Sequence, residues 1–450
     1  MKNIINISIN INIHANSIRW NSTQSNHSLR LAMRKIIQKI SILKIPNYEN
    51  TLKNNENEIF INANDTLRTM LILLTRRLER MCSLSYITLM NPHMAKIWNA
   101  YLNSYGELLT FIGSRQGNEN LKIDYSNIIN YKIINNIDNL DFVKVLQNII
   151  DMHTDNIVDL RDGIKENKEM IFKNSSSNGV FSTCGVSSEK KFLDDHLRER
   201  ILLRLVANNH ILLSNKKGNK MLEKNLNVLE ILQRCMNFVN DLTNLKYCEK
   251  MNILIKTVEI NSNGETLIDD NINSDNISEK KLFFPYIGNH IEYVLNEVLK
   301  NSARATIENK VNKPVNILVV LNNSKPKPIL QVKISDSGNG IHPDIISKLW
   351  EYSFTTVKNN NKNINNSNSN SNLSSILQSS SGTDVQLDAA RDLGLDSLQQ
   401  ADTLVNDNII AGMGYGLPLS STYCRLFGGD IKLNTVYGKG TDVYVIFKGI

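Results

Sequence analysis

Cysteine is scarce in this chain: five residues in 450, Cys82, Cys184, Cys235, Cys248 and Cys424, an odd number without paired spacing. That excludes a disulfide framework and the spaced thiols of a zinc site, and it suits a reducing compartment. No run of about eighteen apolar residues occurs, so nothing reads as a membrane span. Basic residues outnumber acidic ones to a formal charge of +7, but without forming a block. The excess therefore reads as solvated surface charge and not as a nucleic-acid footprint. The spacing of a P-loop is missing, as are the Gly-rich loop, Val-Ala-Ile-Lys strand, His-Arg-Asp loop and Asp-Phe-Gly run of ordinary protein kinases. No His-Glu-x-x-x-Pro box surrounds any of the eight histidines, and no receiver-like half follows.

Acidic residues are absent from Met1 to Tyr48, where Lys2, Arg19, Arg30, Arg34, Lys35, Lys39 and Lys44 alternate with Ile, Ser and Asn. This is the pattern of a mitochondrial presequence and not of a secretory one. Asn-rich, low-complexity disorder is the competing reading. Glycine is sparse and proline almost absent between Ala63 and Lys250, and apolar residues recur there at helical intervals: Leu71, Leu74, Leu78 and Met81, then Ile201, Leu202, Leu205 and Val206. Long helices with polar connections predict a bundle, with Asn174–Ser188 as a loop between two of them.

From Met251 the texture changes to short β-branched runs at Ile253–Val258, Asn316–Leu321, Leu330–Ile334, Asp430–Leu433 and Val443–Phe447. Interleaved with helices expected at His290–Asn309 and Leu417–Phe427, they predict an α/β sandwich. With 41% hydrophobic residues the chain can build two domains with separate cores. Between Phe354–Thr356 and Gly412, Asn359–Ser381 is mostly Asn and Ser, and the stretch to Asn408 is acidic and weakly patterned, too polar to form a core. A mobile lid over a site and a tolerated surface insertion both fit such a segment.

Two glycine-rich runs stand out. Asp336-Ser-Gly-Asn-Gly340 follows an expected strand, and Gly412-Met-Gly-Tyr-Gly-Leu-Pro418 opens an expected helix. Glycines two apart leave bare backbone that can approach a nucleotide a Cβ would hold off. The helix N-terminus after the second run is a favourable place for an anion. Upstream, Ile291, Val294, Leu295, Val298 and Leu299 mark the apolar face of a helix on which Glu297 and Asn301 lie one turn apart and point the same way. The amide oxygen of Asn301 suits Mg²⁺, which takes hard oxygen ligands and keeps several waters. The carboxylate of Asp336 can accept the proton of an adenine amino group, with Gly338 and Gly340 leaving room for the base.

The Glu-x-x-x-Asn helix, the Asp-x-Gly-x-Gly turn, the Gly-x-Gly-x-Gly run and a closing Gly440-Thr441-Asp442, in that order, resemble the N, G1, G2 and G3 boxes of the GHKL superfamily. Leu-Lys-Asn301-Ser-Ala-Arg304-Ala-Thr, Ser353-Phe-Thr-Thr356 and Gly414-Tyr-Gly-Leu-Pro-Leu-Ser420 are similar to the mitochondrial α-ketoacid dehydrogenase kinases, a branch that phosphorylates serine. The first half agrees. Leu84-Ser-Tyr86-Ile followed by Asn91-Pro92 resembles a signature of these kinases, with Ser85 where the family has proline. So do His153-Thr-Asp-Asn-Ile-Val158-Asp-Leu160-Arg-Asp-Gly163, Phe192-Leu-Asp194, and Arg200 with Arg204-Leu-Val-Ala-Asn-Asn-His210, and the resemblance runs from about Leu67 to Phe447.

The resemblance implies an α+β protein: a four-helix-bundle-like domain over 63–250, then a GHKL (Bergerat) α/β sandwich over 251–450 with a lid insertion at 359–408, after a leader at 1–48. It implies ATP and Mg²⁺ as ligands, with Asn301 on the metal, Asp336, Gly338, Gly340 and Thr441 near the adenine, and Gly412, Gly414, Tyr415, Gly416 and Leu417 near the phosphates. Thr355 and Thr356 contact the nucleotide in this scheme or cap local structure, and Arg304 neutralises the transferring group or is a solvated cation. Glu297 is the expected base. Relatives that tune it with a histidine four residues earlier differ from this chain, which has Tyr293 there; His290, about two turns away, reads as structural. A K⁺ site would use backbone oxygens of Leu349, Glu351, Phe354 and Gly414. The implied partners are the E1α subunit and lipoyl-bearing E2 of a 2-oxoacid dehydrogenase complex, and a second kinase chain in a homodimer or heterodimer, in the mitochondrial matrix. Tyr293, Gly440-Thr-Asp-Val-Tyr and an end at Ile450 resemble the branched-chain enzyme, whereas His290 and Gly-Tyr-Gly-Leu-Pro-Leu resemble the pyruvate branch, which is the expectation carried forward. A histidine kinase, with His153 as a candidate phosphoacceptor, or an ATPase on the same nucleotide site is the rival class, and an ATP-binding scaffold a third.

Overall fold

The computed structural model describes residues 8–9, 35–54, 58–82, 84, 88, 90–115, 121–122, 125–154, 159–160, 162–164, 166, 184–215, 221–261, 266–272, 280–323, 326–352, 354 and 414–450. The chain divides into two compact units, residues 1–181 with 202–220, and residues 182–201 with 221–450. The protein is α+β: the first unit is helical and the second is built on a mixed sheet.

The first unit contains the two-residue strands β1 (Ser8–Ile9) and β2 (Leu121–Lys122), which pair antiparallel, and the helices α1 (Tyr48–Lys53), α2 (Ile59–Cys82), α3 (Pro92–Arg115), α4 (Tyr125–Asn130) and α5 (Asn136–Met152). It also holds the C-terminal part of α6 (Cys184–Ser214). Helix α2 buries Leu67, Met70, Leu71, Leu74, Leu78 and Met81, the i, i+3, i+4 stripe expected of it, and α3 packs on both α2 and α5. Asn135 begins α5 by accepting the Asp138 N–H at 2.7 Å. Packed chain starts ahead of residue 48, the expected end of the leader. Residues 35–41 are helical, Ile40 is buried, and the Arg76 guanidinium donates to the Ser41 and Leu43 carbonyls at 2.7 Å.

The second unit opens with β3 (Glu223–Asn227) and α7 (Val228–Tyr247) and continues through β4 (Ile253–Ile260), β5 (Thr266–Ile272), β6 (Phe283–Tyr286), α8 (Gly288–Glu308), β7 (Val315–Asn322) and β8 (Ile329–Asp336). The short α9 (Pro343–Ile346) and a 3₁₀ turn at Ser347–Trp350 follow, then α10 (Gly416–Leu426), β9 (Asp430–Val436) and β10 (Gly440–Lys448). Six strands form one sheet in the order β5-β4-β7-β8-β10-β9. Among the described strands only β4 and β7 pair in parallel, Ile255 opposite Ile317, and the chain between them passes through α8, as a parallel pair requires a crossover. Val315, Ile317, Val319 and Leu321 alternate inward along β7, as do Leu330, Val332 and Ile334 along β8. Such period-two burial faces the helices, α8 packing on β7 and β8 and α10 on β9 and β10, and each buried Val, Leu or Ile contributes about 1.5–3 kcal/mol.

Two expected boundaries shift. Helix α6 starts at Cys184, inside the stretch 174–188 expected as a loop; residues 167–183 lie outside the described chain. Helix α7, read with the bundle, belongs to the second unit. Its apolar face of Leu229, Ile231, Leu232, Cys235, Met236 and Val239 is buried, it packs against α8, and Arg234 reaches Glu292 of α8 at 3.1 Å. Helical periodicity shows that a face will be buried but not which core takes it. Strands β3, β5 and β6 were not expected, because they are short or broken by Asn, Asp, Glu and Pro285. Among the described residues no helix is long and apolar enough to cross a membrane.

Candidate functional site

Asp336 ends β8 and stands directly opposite Thr441 at the start of β10. Its carboxylate accepts the Gly338 N–H at 3.0 Å, together with the Thr441 N–H and the hydroxyl of buried Ser302 on α8. Burial nevertheless dominates and holds the Asp336 carboxyl above the usual carboxylate range, with those hydrogen bonds acting in the opposite direction and Asp442 adding to the rise. Thr441 is itself buried, its hydroxyl 3.1 Å from that of Thr435, which accepts the Ile341 N–H at 2.9 Å. The turn after β8 is thereby tied to the β9–β10 hairpin.

The glycines of this turn have a structural reason that the sequence did not show. A Cβ on Gly338 would lie 2.8 Å from both the Cβ and the carbonyl oxygen of Ala305, so it is the close approach of α8 that leaves no room there. Gly340 has φ +63 and its Cβ would fall 2.3 Å from the Val436 carbonyl oxygen, which excludes a side chain twice over. Both glycines make room for the protein's own backbone.

On α8, Glu297 and Asn301 take the one-turn spacing expected of them. Asn301 is exposed, and its amide makes no hydrogen bond to the described residues. Glu297 is different. Its Oε1 lies 2.5 Å from Lys300 Nζ, with the two side chains only 15% and 14% exposed. Its Oε2 lies against Gly416, the first residue of α10, where a Cβ would come within 2.1 Å of it. The third glycine of the Gly-x-Gly-x-Gly run thus accommodates a carboxylate from α8, and the start of α10 and the middle of α8 are brought to one place. Tyr415, buried just before α10, stands 5.6 Å ring to ring from Tyr352, whose hydroxyl donates to Asp194 at 2.6 Å. Gly414 adopts φ +78, and Leu417 lies in the first turn of α10.

Other expected residues fall elsewhere. Arg304 is engaged along its own helix, its Nε 3.0 Å from both carboxylate oxygens of Glu308. Thr355, Thr356 and Gly412, and the lid insertion at 359–408, lie outside the described residues. Of the K⁺ positions, Leu349 is in the 3₁₀ turn, and the Glu351 carbonyl accepts the Phe354 N–H at 3.4 Å. His290 is buried among the rings of Tyr286, Tyr423 and Phe427, and burial drives its pKa down to about 3, so it stays neutral and structural. His153 is buried in the first unit, 2.9 Å from the Ser104 hydroxyl and edge-on to Tyr101, which does not suit an exposed phosphoacceptor. Lys300, Ser302 and Ala305 were missed as contributors; Lys300 pairs with Glu297 on its own helix, whereas Ser302 and Ala305 meet Asp336 and Gly338 from another segment.

These features define a chain with a helical unit followed by a mixed-sheet unit whose sheet end holds an acid and close-packed glycines against a helix that carries Glu297 and Asn301. A family model described as mitochondrial branched-chain alpha-ketoacid dehydrogenase kinase matches residues 39–231. The chain is 24% identical over 394 residues to mitochondrial pyruvate dehydrogenase (acetyl-transferring) kinase 1 of Saccharomyces cerevisiae, covering 85% of this chain and 77% of that one. It is 25% identical to isozyme 4 of the Homo sapiens kinase over 69% of this chain and 62% of the relative, and 24% identical to isozyme 1 over 80% and 67%. The chain is thus similar to mitochondrial α-ketoacid dehydrogenase kinases over most of its length.

Proposed function

We propose that this protein is a mitochondrial protein serine kinase that phosphorylates, and so inactivates, the E1α subunit of the pyruvate dehydrogenase complex using Mg-ATP in a GHKL-type site. The observation that carries the reading is the placement of Glu297 beside the α10 N-terminus with the exposed Asn301 amide one turn away and Asp336 at the end of β8. The residues fit the ligands. Asn301 would hold Mg²⁺, whose charge offsets that of the phosphates. Asp336 would take the adenine amino group, and the backbone of Gly414–Leu417 at the start of α10 would face the phosphates.

Phosphoryl transfer asks the protein mainly for positioning and charge neutralisation. The acceptor serine oxygen forms a bond to the γ-phosphorus, its proton passes to Glu297, and the β–γ bridging oxygen leaves with its electron pair on ADP. A carboxylate suffices as base because the hydroxyl loses its proton only as that bond forms. The matrix location, the lipoyl-bearing E2 partner, a dimeric state and a K⁺ ion on backbone oxygens of Leu349, Glu351, Phe354 and Gly414 belong to this proposal.

The description of the family model that matches residues 39–231 favours a second substrate, the branched-chain complex. Incubating the purified protein with Mg-ATP and each E1 in turn, and mapping the phosphorylated residue by mass spectrometry, separates the two. Phosphoserine on pyruvate dehydrogenase E1α is expected. Phosphorylation confined to the branched-chain E1α would move the assignment to the second reading, and acid-labile autophosphorylation with neither E1 modified would overturn both.

A further inference from the structure

An i,i+3 Glu–Lys pair on a helix is ordinarily a solvated surface contact worth a few tenths of a kcal/mol. The Glu297–Lys300 pair is not placed like one. Both side chains are at least 85% covered, Oε1 and Nζ are in charge-assisted hydrogen-bond contact at 2.5 Å, and the other carboxylate oxygen lies beside Gly416 of α10, where a Cβ would meet it. The carboxylate is therefore held at Oε1 by the ammonium, while Oε2 lies in the space beside Gly416 that a side chain there would fill. Neighbouring cations do not substitute for Lys300. Arg304, one turn on, is committed to Glu308, and Arg234 to Glu292.

We propose that Lys300 is a positioning residue for the phosphotransfer step, holding Glu297 by Oε1 so that Oε2 alone is presented to the serine hydroxyl. The inference rests on the reading of Glu297 as the base. Lys300 makes no claim on the nucleotide in this account: its ammonium is engaged by the carboxylate, and its loss frees Glu297 to rotate out of the reactive geometry. A misplacement of about 1 Å at a reacting group costs up to about a hundredfold in rate.

The test compares wild type with Lys300→Met, Lys300→Arg, Glu297→Gln and the Lys300→Met/Glu297→Gln double variant, each shown to be folded by circular dichroism. Transfer to whole E1 is measured at saturating Mg-ATP, and nucleotide affinity by calorimetry. Lys300→Met should lower kcat by roughly tenfold or more while leaving Mg-ATP affinity within about threefold, the signature of an interaction that matters only in the transition state. Lys300→Arg, which keeps a cation in reach of Oε1, should recover a substantial part of kcat. The double variant should be no slower than Glu297→Gln alone, because Lys300 acts through Glu297. If Lys300→Met keeps the wild-type kcat, or loses Mg-ATP affinity with kcat unchanged, the proposal is overturned and Lys300 is a bystander or a phosphate ligand. If instead Glu297→Gln transfers at the wild-type rate, it is the assignment of the base that fails, a result distinct from either.

Discussion

Gly416→Ala would place a methyl carbon 2.1 Å from Glu297 Oε2 and 3.0 Å from its Cδ, whereas ordinary carbon contacts begin near about 3.5 Å. One group must move by more than about 1 Å. The backbone at Gly416 is not in the left-handed region, so alanine there carries no conformational penalty and, taken alone, would stabilise the protein by about 0.4–1 kcal/mol. Against this stands overpacking, typically about 1–3 kcal/mol, or else rotation of the Glu297 carboxylate away from Lys300, which sacrifices a well-covered ion pair. The net expectation is a destabilisation of about 1–2 kcal/mol and a loss of transfer approaching about a hundredfold, from displacement of the base by about 1 Å. Denaturant unfolding gives the first quantity and transfer to E1 at saturating Mg-ATP the second. Repeating the change in a Glu297→Ala background removes the clash. There Gly416→Ala should be neutral or stabilising by up to about 1 kcal/mol, giving a coupling near about 2 kcal/mol between the positions. Additive effects, or wild-type transfer by Gly416→Ala, would refute the claim that the third glycine exists to seat the carboxylate.

Three further outcomes follow from the same geometry. Asn301→Ala should abolish Mg-ATP binding with little loss of stability, since the side chain is exposed and makes no hydrogen bond to the described residues; unchanged affinity in calorimetry would sink its assignment to the metal. The Asp336 carboxyl is raised by burial, so its ionised form opposes folding, and the stability it contributes is present at low pH and is lost as pH rises through the raised value. Wild type should therefore gain stability relative to Asp336→Asn as pH is lowered through that range, and the opposite slope in paired denaturation series would contradict the reading. His290 has the reverse sign. Its pKa is depressed to about 3, so the stability it contributes is present above its unfolded value near about 6.5 and is lost as pH falls toward about 3. His290→Phe, set among the rings of Tyr286, Tyr423 and Phe427, should flatten that acid limb; an unchanged pH profile would show that the limb arises elsewhere.

The strands from β4 onward with strong β-branched alternation, and the helices α8 and α10, were legible because period-two and period-3.6 patterns report burial directly, as at Val315–Leu321 and Ile291–Leu299. Ownership of a helix by one unit or the other was not legible, since α7 presents the same apolar stripe whichever core it meets. In the candidate site, residue types and spacing pointed to Glu297, Asn301 and Asp336, but the reasons for the glycines came only from three dimensions. Gly338 faces Ala305, Gly340 faces Val436, and Gly416 faces Glu297, contacts that join residues 33, 96 and 119 positions apart. No local pattern encodes which backbone will pass so close. Arg304 shows the converse limit: adjacency to Asn301 suggested a role at the transferring group, whereas a carboxylate one turn further along claims it.

The central claim, that Glu297 is the base of a serine kinase, is tested most directly by measuring phosphate incorporation into E1α by wild type and Glu297→Gln at saturating Mg-ATP, with nucleotide affinity determined on the same preparations. The account predicts acid-stable phosphoserine with wild type, and for Glu297→Gln an essentially complete loss of incorporation at Mg-ATP affinity within about threefold of wild type, because only the proton acceptor is changed. Incorporation by Glu297→Gln at the wild-type rate would contradict it.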